Sequence, residues 1–143
     1  MSSHKSSHVC NYSQEQLFDL VVNIESYPEF LPWCKKAEII KTKGNIIIAE
    51  LTIEFAGISQ SYTSKITHDR PKTINVEMIE GPFSYLRNNW QFEAQNNGQT
   101  KIRFEIDFKF SSKILETLMG VIFDRTVSKL TEAFLKRAEQ LYP

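Results

Sequence analysis

Residues 101–110, KIRFEIDFKF, alternate without a fault. Ile102, Phe104, Ile106, Phe108 and Phe110 stand on one side, and Lys101, Arg103, Glu105, Asp107 and Lys109 on the other. A period of two is that of a strand with one dry face and one wet face. The same period runs through most of the chain before it. From Ala37, two strands are predicted, joined by a turn at Lys43-Gly44-Asn45, with Leu51, Ile53 and Phe55 alternating with Thr52 and Glu54. SQSYTSKITHD places Tyr62, Ser64 and Ile66 together until Pro71 breaks the pattern. TINVEMIE groups Ile74, Val76 and Met78, and after the Gly81-Pro82 turn Leu86, Asn88, Trp90 and Phe92 share a side. Two stretches have a helical period instead. Ser13 with Gln16 forms a capping-box pattern ahead of Leu17, Leu20, Val21 and Ile24, so residues 14–24 read as a short amphipathic helix. From about 113 to 141 one long helix is predicted, its apolar stripe formed by Leu115, Leu118, Met119, Ile122, Phe123, Leu130, Phe134 and Leu141. Residues 1–7, rich in Ser, His and Lys, are expected to fray, with a short strand over 7–11.

This order implies a single α+β domain over 1–143. About six consecutive strands joined by tight turns make an antiparallel meander, and its one apolar face needs a cover. The cover available is the long helix and one or two short ones. A helix is only about 10–12 Å wide, whereas a twisted sheet of this size is broad. The uncovered remainder either collapses into plain core or encloses a pocket. The candidate wall is aromatic, with Phe55, Tyr62, Trp90, Phe92, Phe104, Phe108 and Phe110, and carries polar groups at Tyr62, Ser64 and Asn88. Met119 and Phe123 are the helix residues expected to face it. Apolar walls with a few placed polar groups describe a ligand site, although an aromatic stripe at strand spacing also describes ordinary core.

Between the first helix and the meander lies YPEFLPWC, residues 27–34. Pro28 and Pro32 exclude a central strand and oppose a long helix, so a short stiff segment carries Phe30, Leu31 and Trp33. By packing alone, these three would staple the short helix to the sheet.

Composition narrows the function classes. The 143 residues are 41% hydrophobic and 12% aromatic, a globular balance. Seventeen basic side chains match seventeen acidic ones. That removes the basic excess of a typical nucleic-acid binder, although Lys35, Lys36, Lys41 and Lys43 form a local cluster that also reads as a solvated strand face. Cys10 and Cys34 make no disulfide framework and fit a reducing cytoplasm. No apolar run reaches the roughly 20 residues of a membrane span, so a cytoplasmic protein, at most peripheral at the inner membrane, is expected. Catalysis is not. His4 and His8 lie near the chain end, His68 precedes a turn, Glu50, Glu54, Glu105 and Asp107 face away from the apolar side, and Cys34 has no evident histidine partner. No metal-ligand spacing or phosphate loop occurs.

Several ungapped blocks carry a family resemblance: YSQEQLFDLV (12–21), YPEFLPWCKKAEI (27–39), AELTIEFAGISQSYTSKI (49–66), EGPFSYLRNNWQF (80–92), FEIDFKFSSKILETLMG (104–120) and FDRTV (123–127). They resemble the coenzyme Q-binding family of START-like (helix-grip) proteins, also catalogued as oligoketide cyclase/lipid transport proteins, a group that includes a ribosome-association toxin. The resemblance implies a curved antiparallel sheet of six or seven strands wrapped around a long C-terminal helix, with a deep apolar cavity between them. It implies a ligand such as ubiquinone or a related polyprenyl lipid, no catalytic cofactor, and a supporting role in respiration. The residues expected at that ligand are Phe30, Leu31, Trp33, Phe55, Tyr62, Ser64, Asn88, Trp90, Phe108, Phe110, Met119 and Phe123, and the resemblance places the first three at the cavity mouth or in a membrane interface. The toxin branch implies a different partner, the large ribosomal subunit, and the catalogue name a third reading, polyketide cyclase or aromatase. Contact with a membrane surface and the oligomeric state stay open at this level.

Overall fold

The computed structural model describes residues 2–143. The chain starts with β1 (Ser2–Cys10) and α1 (Gln14–Val22), then a 3₁₀ segment (Ile24–Glu29). A meander follows: β2 (Cys34–Lys43), β3 (Ile46–Phe55), β4 (Ile58–Asp69), β5 (Thr73–Glu80), β6 (Phe83–Ala94) and β7 (Thr100–Phe110). Two helices close the chain, α2 (Lys113–Val127) and α3 (Leu130–Leu141). The seven strands form one antiparallel sheet in the order β1-β7-β6-β5-β4-β3-β2. The α+β expectation and the meander hold, and the first strand joins the last.

Local chemistry explains the elements. The Ser13 hydroxyl accepts from the Gln16 amide (3.1 Å), and the Gln16 side chain accepts in return from the Ser13 amide (3.0 Å), so α1 begins where two orphan donors are satisfied. In β3 every second side chain, from Ile47 to Phe55, is buried, and β7 shows the same alternation from Thr100 to Phe110. Across β6 and β7, Trp90 faces Phe104, Phe92 faces Ile102 and Leu86 faces Phe108. The inner face is therefore a continuous apolar surface, and Leu17, Phe18, Leu20 and Val21 of α1 seal one part of it. Among the described residues no helix is long and apolar enough to cross a membrane.

Two expectations are corrected. Residues 1–7 were expected to fray, yet β1 runs from Ser2 and pairs with β7 from Ser2↔Phe108 to Cys10↔Thr100; Met1 lies outside the described residues. Backbone groups along the free edge of β7 need partners whatever the side chains are, and a polar strand supplies them. The single long helix is two helices. Thr126 Oγ1 donates to the Ile122 carbonyl and Ser128 Oγ to the Arg125 carbonyl (2.8 and 2.7 Å), and Lys129 leaves helical geometry at φ −113°, ψ 12°. Hydroxyls that bond back to the preceding turn compete with the helix and bend it. The expected stripe is also narrower than its sequence. Met119, Phe123 and Phe134 are buried, but Leu118, Ile122 and Leu141 are 49%, 44% and 47% exposed.

Two glycines behave oppositely. A β-carbon at Gly81 would collide with the Tyr62 β-carbon on the adjoining strand. At Gly120 it would meet Glu116 Cγ at 3.5 Å and Phe110 Cε2 at 3.8 Å, ordinary contacts. Gly81→Ala should therefore destabilise the fold by about 1–3 kcal/mol, and Gly120→Ala should stabilise it by up to about 1 kcal/mol. Urea unfolding of both variants checks this; an unchanged midpoint for Gly81→Ala would contradict the close approach.

Candidate functional site

The interior between sheet and helices divides into two parts. Towards α2 it is solid. Phe83 and Phe110 lie 4.7 Å apart between ring centres, Phe108 and Phe123 4.8 Å, Phe83 and Phe123 5.3 Å, and Phe55 and Phe123 5.4 Å. The Phe108–Phe123 and Phe55–Phe123 pairs meet edge to face, an arrangement aromatic quadrupoles prefer, and the two Phe83 pairs are tilted. None of them is more than 5% exposed. Phe55, Phe108, Phe110, Met119 and Phe123, expected to line a cavity, instead fill this half. Interlocked phenyl rings supply the bulk that a narrow helix lacks.

Towards α3 the interior is not filled. A cavity of about 70 Å³ is lined by Leu31, Trp33, Tyr62, Ser64, Asn88 and Trp90, all expected from sequence, and by Val21, Ile24, Tyr27, Leu51, Ile66, Ile74, Val76, Leu130 and Phe134, which were not named as site residues. A register signal existed for two of these, because Ile74 lies opposite Trp90 and Val76 opposite Asn88. Nothing in the pattern distinguished Tyr27, Leu130 or Phe134 from ordinary core.

The YPEFLPWC segment forms one wall. The Leu31 amide donates to the Tyr27 carbonyl, and the Glu54 amide to the Trp33 carbonyl (both 2.9 Å), which anchors the segment on the end of β3. Leu31 is 1% exposed, while Trp33 is half-buried and stacks on Phe55 at 5.6 Å with 23° between the planes. The Tyr27 hydroxyl donates to the Val21 carbonyl. Phe30 turns away from the cavity. It packs edge-on against Phe134 (5.1 Å), under the Arg137 guanidinium (5.3 Å), and Arg137 is paired with Glu29 at 2.7 Å. Trp33 and Leu31 thus belong to the cavity, and Phe30 staples the segment to α3.

The polar groups are few and two of them are unusual. Ser64 is fully buried, and its Oγ has no hydrogen-bond partner among the described residues; the same holds for Asn88 Oδ1. Leaving such groups unpaired costs about 1–3 kcal/mol each. β4 and β5 shift register between Thr63 and Ser64, an irregularity beside this site. Burial pushes the Tyr62 phenol up, with a smaller contribution from the neighbouring Cys34. Burial likewise pushes up the Tyr27 phenol, helped by the charges Tyr62 and Cys34 would carry. Both phenols therefore stay protonated at neutral pH and act as donors. The Cys34 thiol is pushed up to about 11 by burial, against a weaker opposing effect of backbone hydrogen bonding at Lys36. Among the residues lining the cavity there is no carboxylate, histidine, lysine or arginine.

A family model described as "Polyketide cyclase / dehydrase and lipid transport" matches residues 10–135. The chain belongs to that family. Within it, the chain is 40% identical to the "Ribosome association toxin RatA" of Rickettsia prowazekii, over 99% of each chain. It is 28% identical to the "Coenzyme Q-binding protein COQ10 homolog B, mitochondrial" of Xenopus laevis, over 97% of this chain and 59% of that one. A START superfamily protein from Mycobacterium smegmatis shares the fold, with a TM-score of 0.80 over 97% of this chain and 98% of the other at 18% identity. The START-like fold implied by the sequence blocks is the fold of this polyketide cyclase/dehydrase and lipid transport family member.

The buried thiol and phenols make stability sensitive to alkali. For Cys34 the folded value, about 11, lies above the ordinary 9.0, so the neutral form is favoured by folding. Its contribution is complete below the ordinary value and is lost as pH rises towards about 11, and the two phenols act in the same direction. Urea midpoints should fall across that interval, and the fall should be smaller in Cys34→Ala. A midpoint flat up to the upper end would show that these groups ionise as freely in the folded chain as in the unfolded one.

Proposed function

We propose that this protein binds a lipid with hydrogen-bonding oxygens on its head group, of the polyprenyl quinone type, with the head group beside Ser64 and Asn88. The observation that supports this reading is the pair of unpartnered polar atoms, Ser64 Oγ and Asn88 Oδ1, facing an otherwise apolar cavity. A closed core gains nothing from them. A ligand carbonyl would accept from the Ser64 hydroxyl and from the Tyr62 phenol, which burial keeps protonated, and a ligand hydroxyl would donate to Asn88 Oδ1. The isoprenoid tail would be held by burial, at roughly 25 cal/mol per Å² of apolar area.

The free space of about 70 Å³ is well below that of small-molecule sites, which run to about 300–1,000 Å³. Binding therefore requires the cavity to widen. The movable wall is the helical side, Leu130 and Phe134 of α3 with the Tyr27–Trp33 segment, because the opposite wall is a hydrogen-bonded sheet. The lack of an acid or base in the lining, together with phenols held neutral, supports binding over cyclase chemistry. The relative named as coenzyme Q-binding supports the quinone class.

A second reading, ribosome association, is favoured by a specific observation: the relative named RatA matches at 40% identity along the whole chain. The two are compatible in one fold, since one uses the interior and the other the surface.

Lipid extraction from the purified protein followed by mass spectrometry should recover a quinone or related polyprenyl lipid, and added ubiquinone should quench fluorescence from Trp33 and Trp90. Neither signal appearing would end the quinone reading. Ser64→Ala should raise the ligand-free melting temperature, since it removes an unsatisfied hydroxyl worth about 1–3 kcal/mol, while weakening quinone binding. A stabilised variant with unaltered affinity would make Ser64 a structural residue only. For the second reading, the protein should sediment with large ribosomal subunits and dissociate as salt is raised; a protein that stays in the supernatant at low salt counts against it.

A further inference from the structure

We propose that the seam between the Tyr27–Trp33 segment and α3 is the door of the cavity, and that the Glu29–Arg137 pair is its catch. This rests on the reading of the cavity as a site that takes a guest from outside.

The wall is thin at this seam. Outside it lies a surface depression of about 210 Å³ lined by Glu29, Phe30, Ala133, Lys136, Arg137 and Gln140. Inside it lies the cavity, with Tyr27 and Phe134 in its lining. Phe134 meets Phe30 at 5.1 Å and Tyr27 at 5.3 Å, both edge-on, and Tyr27 meets Phe30 at 6.0 Å. A side chain that lines the outside therefore touches one that lines the inside.

The rest of the lining is tied more firmly. The sheet side is a hydrogen-bonded ladder. The Trp33 end is pinned by the main-chain bond from the Glu54 amide and by the stack on Phe55. Across the seam, among the described residues, no main-chain hydrogen bond joins the segment to α3, and one side-chain bond does, from Arg137 Nη2 to Glu29 Oε1 at 2.7 Å. Apolar contact between rings is non-directional, so the ion pair is the directional tie that fixes the closed position.

That tie is suited to release. Glu29 is exposed, so its carboxylate meets water as soon as the pair parts. Arg137 is half-buried under its contact with Phe30, and its Nε is buried without a hydrogen-bond partner among the described residues. A buried, unpaired N–H is a cost of the closed position that hydration on opening removes. The start of α3 adds a pivot, because Lys129 leaves helical geometry and gives the helix no side-chain cap.

The test follows entry of a neutral apolar dye, N-phenyl-1-naphthylamine, and of a short-chain ubiquinone by stopped-flow fluorescence. Glu29→Lys sets two cations against each other and should speed dye entry about fivefold, the effect of one partly exposed ion pair. Glu29→Lys with Arg137→Glu restores an opposed pair and should return the rate to the wild-type value. Without any ligand, amide exchange over Ala133–Arg137 should quicken in the single variant and slow again in the reversed pair. A pair that only stabilises the fold would shift the thermal melt and leave the entry rate alone. Equal entry rates for the wild type and Glu29→Lys, or no rescue by the reversed pair, overturn the proposal. So does faster entry in Trp33→Ala with none in Glu29→Lys, which would put the mouth at the Trp33 end. The quinone reading is judged separately. Dye that enters while ubiquinone does not keeps the door and ends that reading, and entry of neither into the wild type ends both.

Discussion

The concave face of the sheet must be kept from water along its whole width, and the helices that cover it are too narrow to do so alone. Burial of that face is the dominant favourable term in folding, so every other feature is arranged around how the shortfall is met. At the α2 end it is met by bulk: Phe55, Phe83, Phe108, Phe110 and Phe123 interlock and leave no room. At the α3 end it is met incompletely, and a small hollow remains between Trp90, Tyr62, Leu31 and Phe134. The break at Ser128–Lys129 separates the two regimes. Each helix can then follow its own part of a twisted sheet, which a straight rod of the same length would leave at one end.

The hollow has a chemistry that plain core does not. An interior selected only for stability would replace Ser64 with alanine and would give Asn88 a partner, since unsatisfied polar groups cost free energy without return. Their retention in an otherwise apolar lining is the arrangement expected of a site that is completed by a guest. The stiffness of Pro28 and Pro32 fits the same picture. The segment between them positions Leu31 and Trp33 on the wall with little chain entropy to lose, while Phe30 and Arg137 tie its far side to α3. A shift of α3 would therefore carry Phe30 with it, and a change at the cavity wall would be felt at the Glu29–Arg137 pair.

The family contains relatives named for a lipid and relatives named for the ribosome. The interior and the exterior of this chain differ in chemistry. The interior wall is apolar with neutral donors, and the outer faces carry charge in balance and an uncovered aliphatic row on α2.

Alternation of period two and the capping signature at Ser13 were enough to place six of the seven strands, the first helix and the α+β class, because burial of one face imposes its period on the side chains directly. They were enough, too, to put Tyr62, Ser64, Asn88 and Trp90 on the inner side. Only the Ser7–Cys10 end of the first strand was foreseen, because Ser2–Ser6 pair through backbone groups that every residue possesses, and the helix break was hidden because Thr126 and Ser128 bond to carbonyls one turn back. Which inner residues surround a void and which touch one another is invisible to any local pattern. Phe108 and Trp90 carry the same signal in the chain, yet one is locked among phenyl rings and the other borders open space. That distinction is made only when helix, segment and sheet meet, since packing is a property of volumes shared between elements distant in sequence.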